Sequence, residues 1–248
     1  MIKKLTQSLL DKKYLELRSP IAHTASVDFS TLAVNKPWGN EYLMISTPQV
    51  ETWSLFIGHN KATSMHCHPR KKTALVVLEG NALFSSLNES MELSALDAVM
   101  IEPGVFHSTQ GLSKTGVRVL EFETPPMKHD LIRLEDKYGR VNEGYEGADK
   151  AFQILATHTR FHSSEHNIHK NLGQSRLCLH SLNHSAELRN LQHGPRTLLA
   201  IMNGQVLSRN DEQLWGPSDI VSLEELTSNG YADYNFNQLQ ILSIANHF

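Results

Sequence analysis

Two histidines at alternate positions of a strand-like segment carry the strongest chemical signal in the sequence. His66 and His68 are two residues apart, and successive side chains of a strand point to opposite faces. Both imidazoles therefore point the same way, and Cys67 points the other way. A third histidine, His107, follows the tight turn Pro103-Gly104. Three neutral imidazoles suit Zn²⁺, Fe²⁺, Ni²⁺ or Cu²⁺, provided that the fold brings His107 beside the pair.

A metal-free interpretation of the same residues remains open. The chain has 14 histidines, most of which we expect on the surface. The three could then contact an organic ligand or fill the interior of a barrel. His158, His162, His166 and His169 have helical spacing, but a solvated loop explains them better than a second metal site.

The elements that must position these histidines are short strands. From about residue 30, runs such as 73–78, 98–101 and 117–123 alternate with turn residues. Short strands at intervals of about 8–12 residues favour a sandwich or barrel. Residues 1–17 instead predict an amphipathic helix, because Leu5, Leu9, Leu10 and Tyr14 recur at helical spacing.

The second half of the sequence repeats the strand pattern of the first. A shift of 124 places 198–204 over 74–80, and a shift of 122 places 218–221 over 96–99. Two matches in the same order indicate an internal duplication. We therefore expect a helical extension over 1–29, one barrel over 30–142, a linker over 139–150 and a second barrel over 150–248.

The second repeat has lost the three histidines. The same shifts place Asn190, Gln192 and Asn229 opposite His66, His68 and His107. His193 is close to the expected position but falls on the wrong strand face. We expect the second barrel to serve structure or dimerisation.

The two histidine motifs resemble those of the cupin superfamily. The likeness runs from Gly58 through the His-x-His pair to Gly80, and from Pro103 to His107. It implies an all-β chain of two tandem double-stranded β-helix (jelly-roll) barrels, with metal ligands at His66, His68 and His107. The family's usual glutamate is replaced by Thr73, preceded by Lys72. The loss of that negative charge should weaken retention of a divalent metal, and it leaves positions open for water or substrate.

Two flanking segments resemble the type II mannose-6-phosphate isomerase cupins. These are Lys36–Glu41, which contains Pro-Trp-Gly, and Asp130–Arg140, which ends in Tyr-Gly-Arg. The likeness spans about residues 34–142 and implies a sugar or sugar phosphate substrate. Interconversion of an aldose and a ketose needs a base that moves a proton between adjacent carbons, while a metal such as Zn, Fe, Ni or Mn stabilises the oxyanion. The candidate bases are Glu121, Glu123 and His59.

Four further residues are candidates for binding the substrate. Arg70, Lys71 and Lys72 form a basic cluster directly after the histidine pair that could hold a phosphate or carboxylate. Trp38 could form a wall for a sugar ring, although packing is its commoner role. Two other functions remain open. One is a three-histidine Fe²⁺ dioxygenase, and the other is a ligand-binding barrel without catalysis.

Composition restricts the possible partners. The 248 residues carry a formal net charge of −3, which gives no general attraction to nucleic acid or to an anionic membrane. No apolar run approaches the roughly 18 residues of a membrane span, and Lys3 and Lys4 do not begin a secretory signal. Cys67 and Cys178 are too far apart to suggest a disulfide framework. We expect a reduced, cytoplasmic protein, and the cupin resemblance implies a homodimer.

Overall fold

The computed structural model describes residues 1–19, 28–146, 148–191, 196–228, 234–236 and 238–246. β-Strands dominate these residues. The helices among them are α1 (Leu9–Glu16), α2 (Leu223–Ser228) and two 3-10 turns, Ala148–Lys150 and Ser185–Asn190. The all-β prediction is confirmed. A membrane-spanning helix is not found among the described residues.

Thirteen strands make up two sheets in the first part of the described chain. In chain order they are β1 (Ile2–Leu5), β2 (Leu32–Lys36), β3 (Gly39–Ser46), β4 (Glu51–Ile57), β5 (Met65–Cys67), β6 (Lys72–Glu79), β7 (Ala82–Ser86), β8 (Ser90–Leu93), β9 (Ala98–Ile101), β10 (His107–Gly111), β11 (Val117–Thr124), β12 (Ile132–Glu135) and β13 (Ala151–Gln153). The large sheet has the order β1-β9-β6-β11-β4-β3-β2-β13, and the small sheet has the order β12-β5-β10-β7-β8. Together they form the first jelly-roll barrel.

Eight strands follow in the second part. They are β14 (His169–Leu172), β15 (Ser175–Leu182), β16 (Thr197–Asn203), β17 (Val206–Ser208), β18 (Gln213–Trp215), β19 (Ile220–Ser222), β20 (Tyr234–Asn235) and β21 (Leu239–Asn246). A five-stranded sheet has the order β14-β15-β21-β16-β19, and a three-stranded sheet has the order β18-β17-β20. The apolar cluster between these sheets includes Leu199, Ile201 and Val206.

The large sheet of the first barrel is apolar on both faces. On β6, Leu75 and Val77 point into the first barrel, while Ala74 and Val76 belong to a cluster shared with the second part. On β11, Phe122 belongs to the same shared cluster. Because side chains alternate along a strand, this arrangement sends the intervening Glu121 and Glu123 of β11 into the first barrel.

The shared cluster is a sheet-on-sheet contact that covers the outer face of the large sheet. Leu198, Ala200 and Met202 on β16 supply alternate side chains from the second part. The hydroxyl of Thr47 also donates to the carbonyl oxygen of Met202 at 2.8 Å. Burial of apolar surface holds the two parts together. The predicted homodimer stays a prediction.

The N-terminal segment differs from the single amphipathic helix predicted for residues 1–17. β1 pairs in parallel with β9, with Leu5 opposite Ile101, so Leu5 belongs to a sheet. In α1 Leu9 is 84% exposed, whereas Asp11 is buried and accepts a hydrogen bond from the backbone N–H of Phe106 at 2.9 Å. The spacing of apolar residues did not predict this arrangement, because Ile2–Leu5 form a strand that pairs with the distant strand β9.

The large sheet also extends past the boundary expected at residue 142. β13 pairs antiparallel with β2, with Ala151 opposite Val34. Part of the predicted linker and the start of the second predicted domain are therefore built into the first barrel's sheet. The domain limits stay a prediction.

Candidate metal centre

Neighbouring strands of the small sheet bring the three histidines together. β5 and β10 are antiparallel, with His66 directly opposite His107. His68 follows β5, and its carbonyl oxygen accepts the backbone N–H of Gly104 at 2.8 Å. Gly104 has a φ of 78°, which glycine adopts without strain, so the turn can return the chain beside His68. One ring nitrogen of each histidine lies within 4.8 Å of the others.

Backbone carbonyl groups fix the tautomer of all three imidazoles. Each Nδ1–H donates to a carbonyl oxygen, which leaves each Nε2 with a free lone pair. The acceptors are Ser64 for His66 at 2.8 Å, Asp130 for His68 at 2.7 Å and Val105 for His107 at 3.0 Å. Histidines that bind metals are oriented in this way by their second nitrogen.

Two of the three Nε2 atoms have the unpaired, buried environment that suits a metal ligand. The Nε2 atoms of His68 and His107 are buried and have no hydrogen-bond partner among the described residues. An unpaired buried polar atom is costly, and a cation shared by the three imidazoles would remove that cost. Within the described ranges these three residues form the one histidine, cysteine or carboxylate group with such convergence.

Burial keeps the three imidazoles neutral. It lowers the pKa of His66 and of His68 well below the usual value, and it lowers the pKa of His107 to about 4. Only a neutral imidazole binds a metal. The site is therefore in its metal-binding form at neutral pH.

This shift predicts that His107 makes the metal-free protein less stable in acid than it would be without this group. In the unfolded chain His107 takes up a proton below its ordinary pKa of 6.5, whereas in the folded protein it stays neutral down to a pKa of about 4. The free energy of unfolding should therefore fall as pH falls through this window, by about 3 kcal/mol for this group. Urea titrations in chelator at several pH values would measure it. A His107→Gln variant should show a shallower fall, and an equal fall would contradict the prediction.

Two carboxylates on β11 face the imidazoles from the large sheet. Glu121 Oε1 lies 3.9 Å from Nε2 of His68. Burial, together with repulsion from the Glu123 carboxylate, raises the pKa of Glu121 to about 7. The described residues thus leave this carboxylate without full charge compensation.

Glu123 has a different environment, because two buried ammonium groups hold it. Its Oε1 lies 2.6 Å from Nζ of Lys71 and 3.3 Å from Nζ of Lys128. Burial alone would raise its pKa, but Lys128 and Lys71 outweigh that effect and lower it. Its Oε2 has no hydrogen-bond partner among the described residues. One oxygen is therefore anchored, and the other remains available.

Sequence reasoning missed a set of charged residues that completes the cavity. Glu146 pairs with Lys36 and with Arg140, and it lies 3.5 Å from Arg133. Glu41 accepts a hydrogen bond from the hydroxyl of Tyr145. The cavity has a volume of about 590 Å³, part of it open to solvent. The available signal was the charge of Lys36 and Glu41 on either side of Pro-Trp-Gly, but nothing local indicated that they point inwards.

The structure divides the residues predicted for catalysis and substrate binding into two groups. Trp38, Lys71, Glu121 and Glu123 line the cavity together with the three histidines. Arg70, Lys72 and His59 do not.

Each of the three excluded residues has another partner. Arg70 is largely exposed, and its Nε donates to Asp130 at 2.8 Å. Lys72 points away from the cavity and pairs with Asp219 of the second part at 2.5 Å, because consecutive residues at the start of β6 face opposite sides. The ring nitrogens of His59 contact the carbonyl oxygen of Leu112 at 3.0 Å and Nδ2 of Asn60 at 3.1 Å.

Of the three second-repeat positions aligned with the histidines, the structure describes one. Asn190 is exposed at the end of a 3-10 turn. Gln192, His193 and Asn229 lie outside the described residues. His162 and His166, from the group with helical spacing, make hydrogen bonds to the serine hydroxyls of Ser164 and Ser181.

Comparison with known proteins gives partial matches. The chain matches no protein-family model. It is 25% identical over 109 residues to a mannose-1-phosphate guanylyltransferase from Klebsiella pneumoniae, a match that covers 43% of this chain and 23% of that protein. The chain thus spans about a quarter of the length of that relative.

Solved structures match over about a third of the chain. One is a conserved protein with a double-stranded β-helix domain from Klebsiella pneumoniae, at 15% identity and a TM-score of 0.36, covering 39% of this chain and 84% of that one. Another is a sugar phosphate isomerase of the cupin superfamily from Silicibacter pomeroyi, at 13% identity and a TM-score of 0.32, covering 34% and 58%. Identities this low concern the fold alone.

Proposed function

We propose that this protein is a metal-dependent enzyme acting on a sugar or sugar phosphate. The premise is a cupin barrel in which three imidazoles face one point. The reaction we propose is of the isomerase or epimerase type. The observation that carries the proposal is the convergence of His66, His68 and His107 in a cavity that also contains the carboxylates of Glu121 and Glu123. Proton transfer next to a carbonyl group needs both a basic group and a site that stabilises negative charge.

The three histidines would hold the metal through their Nε2 atoms. Zn²⁺, Fe²⁺, Ni²⁺ and Mn²⁺ are the cations to test, and imidazole ligands suit several of them. When bound, such an ion polarises a carbonyl group and stabilises the oxyanion that forms from it. The backbone carbonyls behind the imidazoles orient the rings towards the shared point.

The remaining residues of the cavity have separate tasks. The Glu121 and Glu123 pair provides the group that takes a proton from one carbon and returns it to the next. Lys71 is fully buried, and its ammonium group keeps Glu123 ionised and in place. Trp38 forms part of the wall against which an apolar sugar face can pack.

The charge of the cavity favours an anionic substrate over a neutral sugar. Its lining contains five basic side chains and four carboxylates, namely Lys36, Lys71, Lys128, Arg133 and Arg140, with Glu41, Glu121, Glu123 and Glu146. The buried carboxylate of Asp136 also pairs with Arg140 at 2.6 Å, so these charges balance, and a divalent metal would make the site positive. A phosphate or carboxylate on the substrate would compensate that charge in a largely desolvated site.

Deuterium exchange tests the reaction type across many sugars at once. The metal-loaded protein would be incubated in D₂O with a panel of aldose and ketose phosphates, and NMR would follow exchange at the carbon next to the carbonyl group. We expect exchange and the paired product for at least one sugar, and neither after removal of the metal. A protein that binds metal but exchanges no sugar proton would contradict the proposal. Oxygen consumption would instead indicate the dioxygenase alternative.

A further inference from the structure

The position at which the cupin resemblance places a glutamate contains no acidic group in this chain. The side chain of Thr73 is buried there, and its hydroxyl has no hydrogen-bond partner among the described residues. On the adjacent strand β11, Glu123 lies opposite Thr73 and Glu121 lies opposite Leu75. The Thr73 position of β6 therefore has no carboxylate, whereas the neighbouring strand β11 has two on the face that looks into the barrel.

Of the two carboxylates, Glu121 is the one with a close contact to an imidazole. Its Oε1 is 3.9 Å from the unpaired Nε2 of His68, and both side chains are at least nine-tenths buried. Two ligands held about 2.1 Å from one ion are about 3.4 Å apart at the tetrahedral angle and about 4.2 Å apart when they are opposite each other. The observed separation lies between these values, so a small rotamer change would let both atoms bind one ion.

Charge compensation leads to the same conclusion. Three neutral imidazoles leave the full charge of a divalent ion uncompensated in a buried site, which is unfavourable. Glu121 in turn is a buried carboxylate whose closest cationic group, Nζ of Lys128, is 4.0 Å away, beyond hydrogen-bond distance. Binding of one cation between Glu121 and the imidazoles would satisfy both.

We propose that Glu121 is the fourth protein ligand of the metal, so that the carboxylate missing from β6 is supplied by β11. This inference rests on the metal site of the proposed function. It leaves Glu123, with its free oxygen, as the carboxylate that transfers the proton.

Metal affinity, measured by calorimetry and by competition with a chelator, tests this assignment without any substrate. We expect Glu121→Gln to bind Zn²⁺ or Mn²⁺ more weakly by about 10- to 100-fold or more. Loss of a group that only hydrogen-bonds to a metal ligand already weakens binding by this range. The visible absorption of the Co²⁺-loaded protein should change as well, because one oxygen ligand is lost. The double variant Thr73→Glu with Glu121→Gln returns a carboxylate from β6 and should recover affinity.

Two controls make the outcomes separable. Glu92→Gln removes an exposed carboxylate of β8 and should keep the wild-type affinity, and Glu121→Asp tests whether a shorter acid retains part of it. If Glu121→Gln keeps the wild-type affinity and Co²⁺ spectrum while His66→Ala loses the metal, Glu121 is not a ligand and the histidine site stands. If wild type binds no metal at all, both this inference and the proposed function fail.

Discussion

Replacement of His66 by alanine is expected to abolish metal retention and to lower the rate of sugar proton exchange by roughly 10³-fold. His66 supplies one of three convergent Nε2 atoms, and the remaining pair would bind a divalent ion too weakly to retain it at ordinary concentrations. Metal-assisted stabilisation of an oxyanion contributes several kcal/mol, and about 4 kcal/mol corresponds to about 10³ in rate. Elemental analysis and the D₂O exchange assay would measure the two effects on one preparation.

His59→Ala is the matched control for this experiment. His59 belongs to the same barrel and the same stretch of sequence, but it is exposed and does not line the cavity. It should retain both metal and exchange activity. Equal activity of His66→Ala and wild type would remove the metal centre from the mechanism, and equal loss in both variants would indicate general damage to the barrel.

Replacement of Lys71 by methionine is expected to cost about 3 kcal/mol of unfolding free energy. Its Nζ lies 2.6 Å from Glu123, with side-chain exposures of 0% and 1%. Loss of one partner of a buried pair leaves an uncompensated charge, which costs about 3–5 kcal/mol. Lys128 remains 3.3 Å from the same carboxylate, so the lower end of that range is expected. Urea denaturation monitored by circular dichroism would measure the change.

A double-mutant cycle identifies the source of that cost. The pair Lys71→Met with Glu123→Gln has no buried charge left at either position and should recover a large part of the stability lost in Lys71→Met alone. Additive losses would mean that Lys71 stabilises the barrel through its packing rather than through its charge. Glu123→Gln alone should be destabilised as well, because it leaves the Lys71 ammonium group in place without its nearest carboxylate.

The sequence by itself determined the local part of this protein. Alternation along a strand is enough to put His66 and His68 on one face, and the Pro103-Gly104 turn is enough to start a new strand at His107. Short runs between turn residues predicted an all-β fold, which is confirmed. These inferences depend only on the spacing of near neighbours, and the structure keeps that spacing.

Tertiary structure decided which distant residues share the cavity. Arg70, Lys71 and Lys72 are consecutive, yet only Lys71 lines it, because the register of β6 sends Lys72 towards Asp219. Lys128, Arg133 and Glu146 carry no local signal of their inward position. The pairing of β6 with β11 brought Glu121 towards the imidazoles. Pairing between strands far apart in sequence depends on burial and hydrogen bonding over the whole sheet, and no local pattern records it.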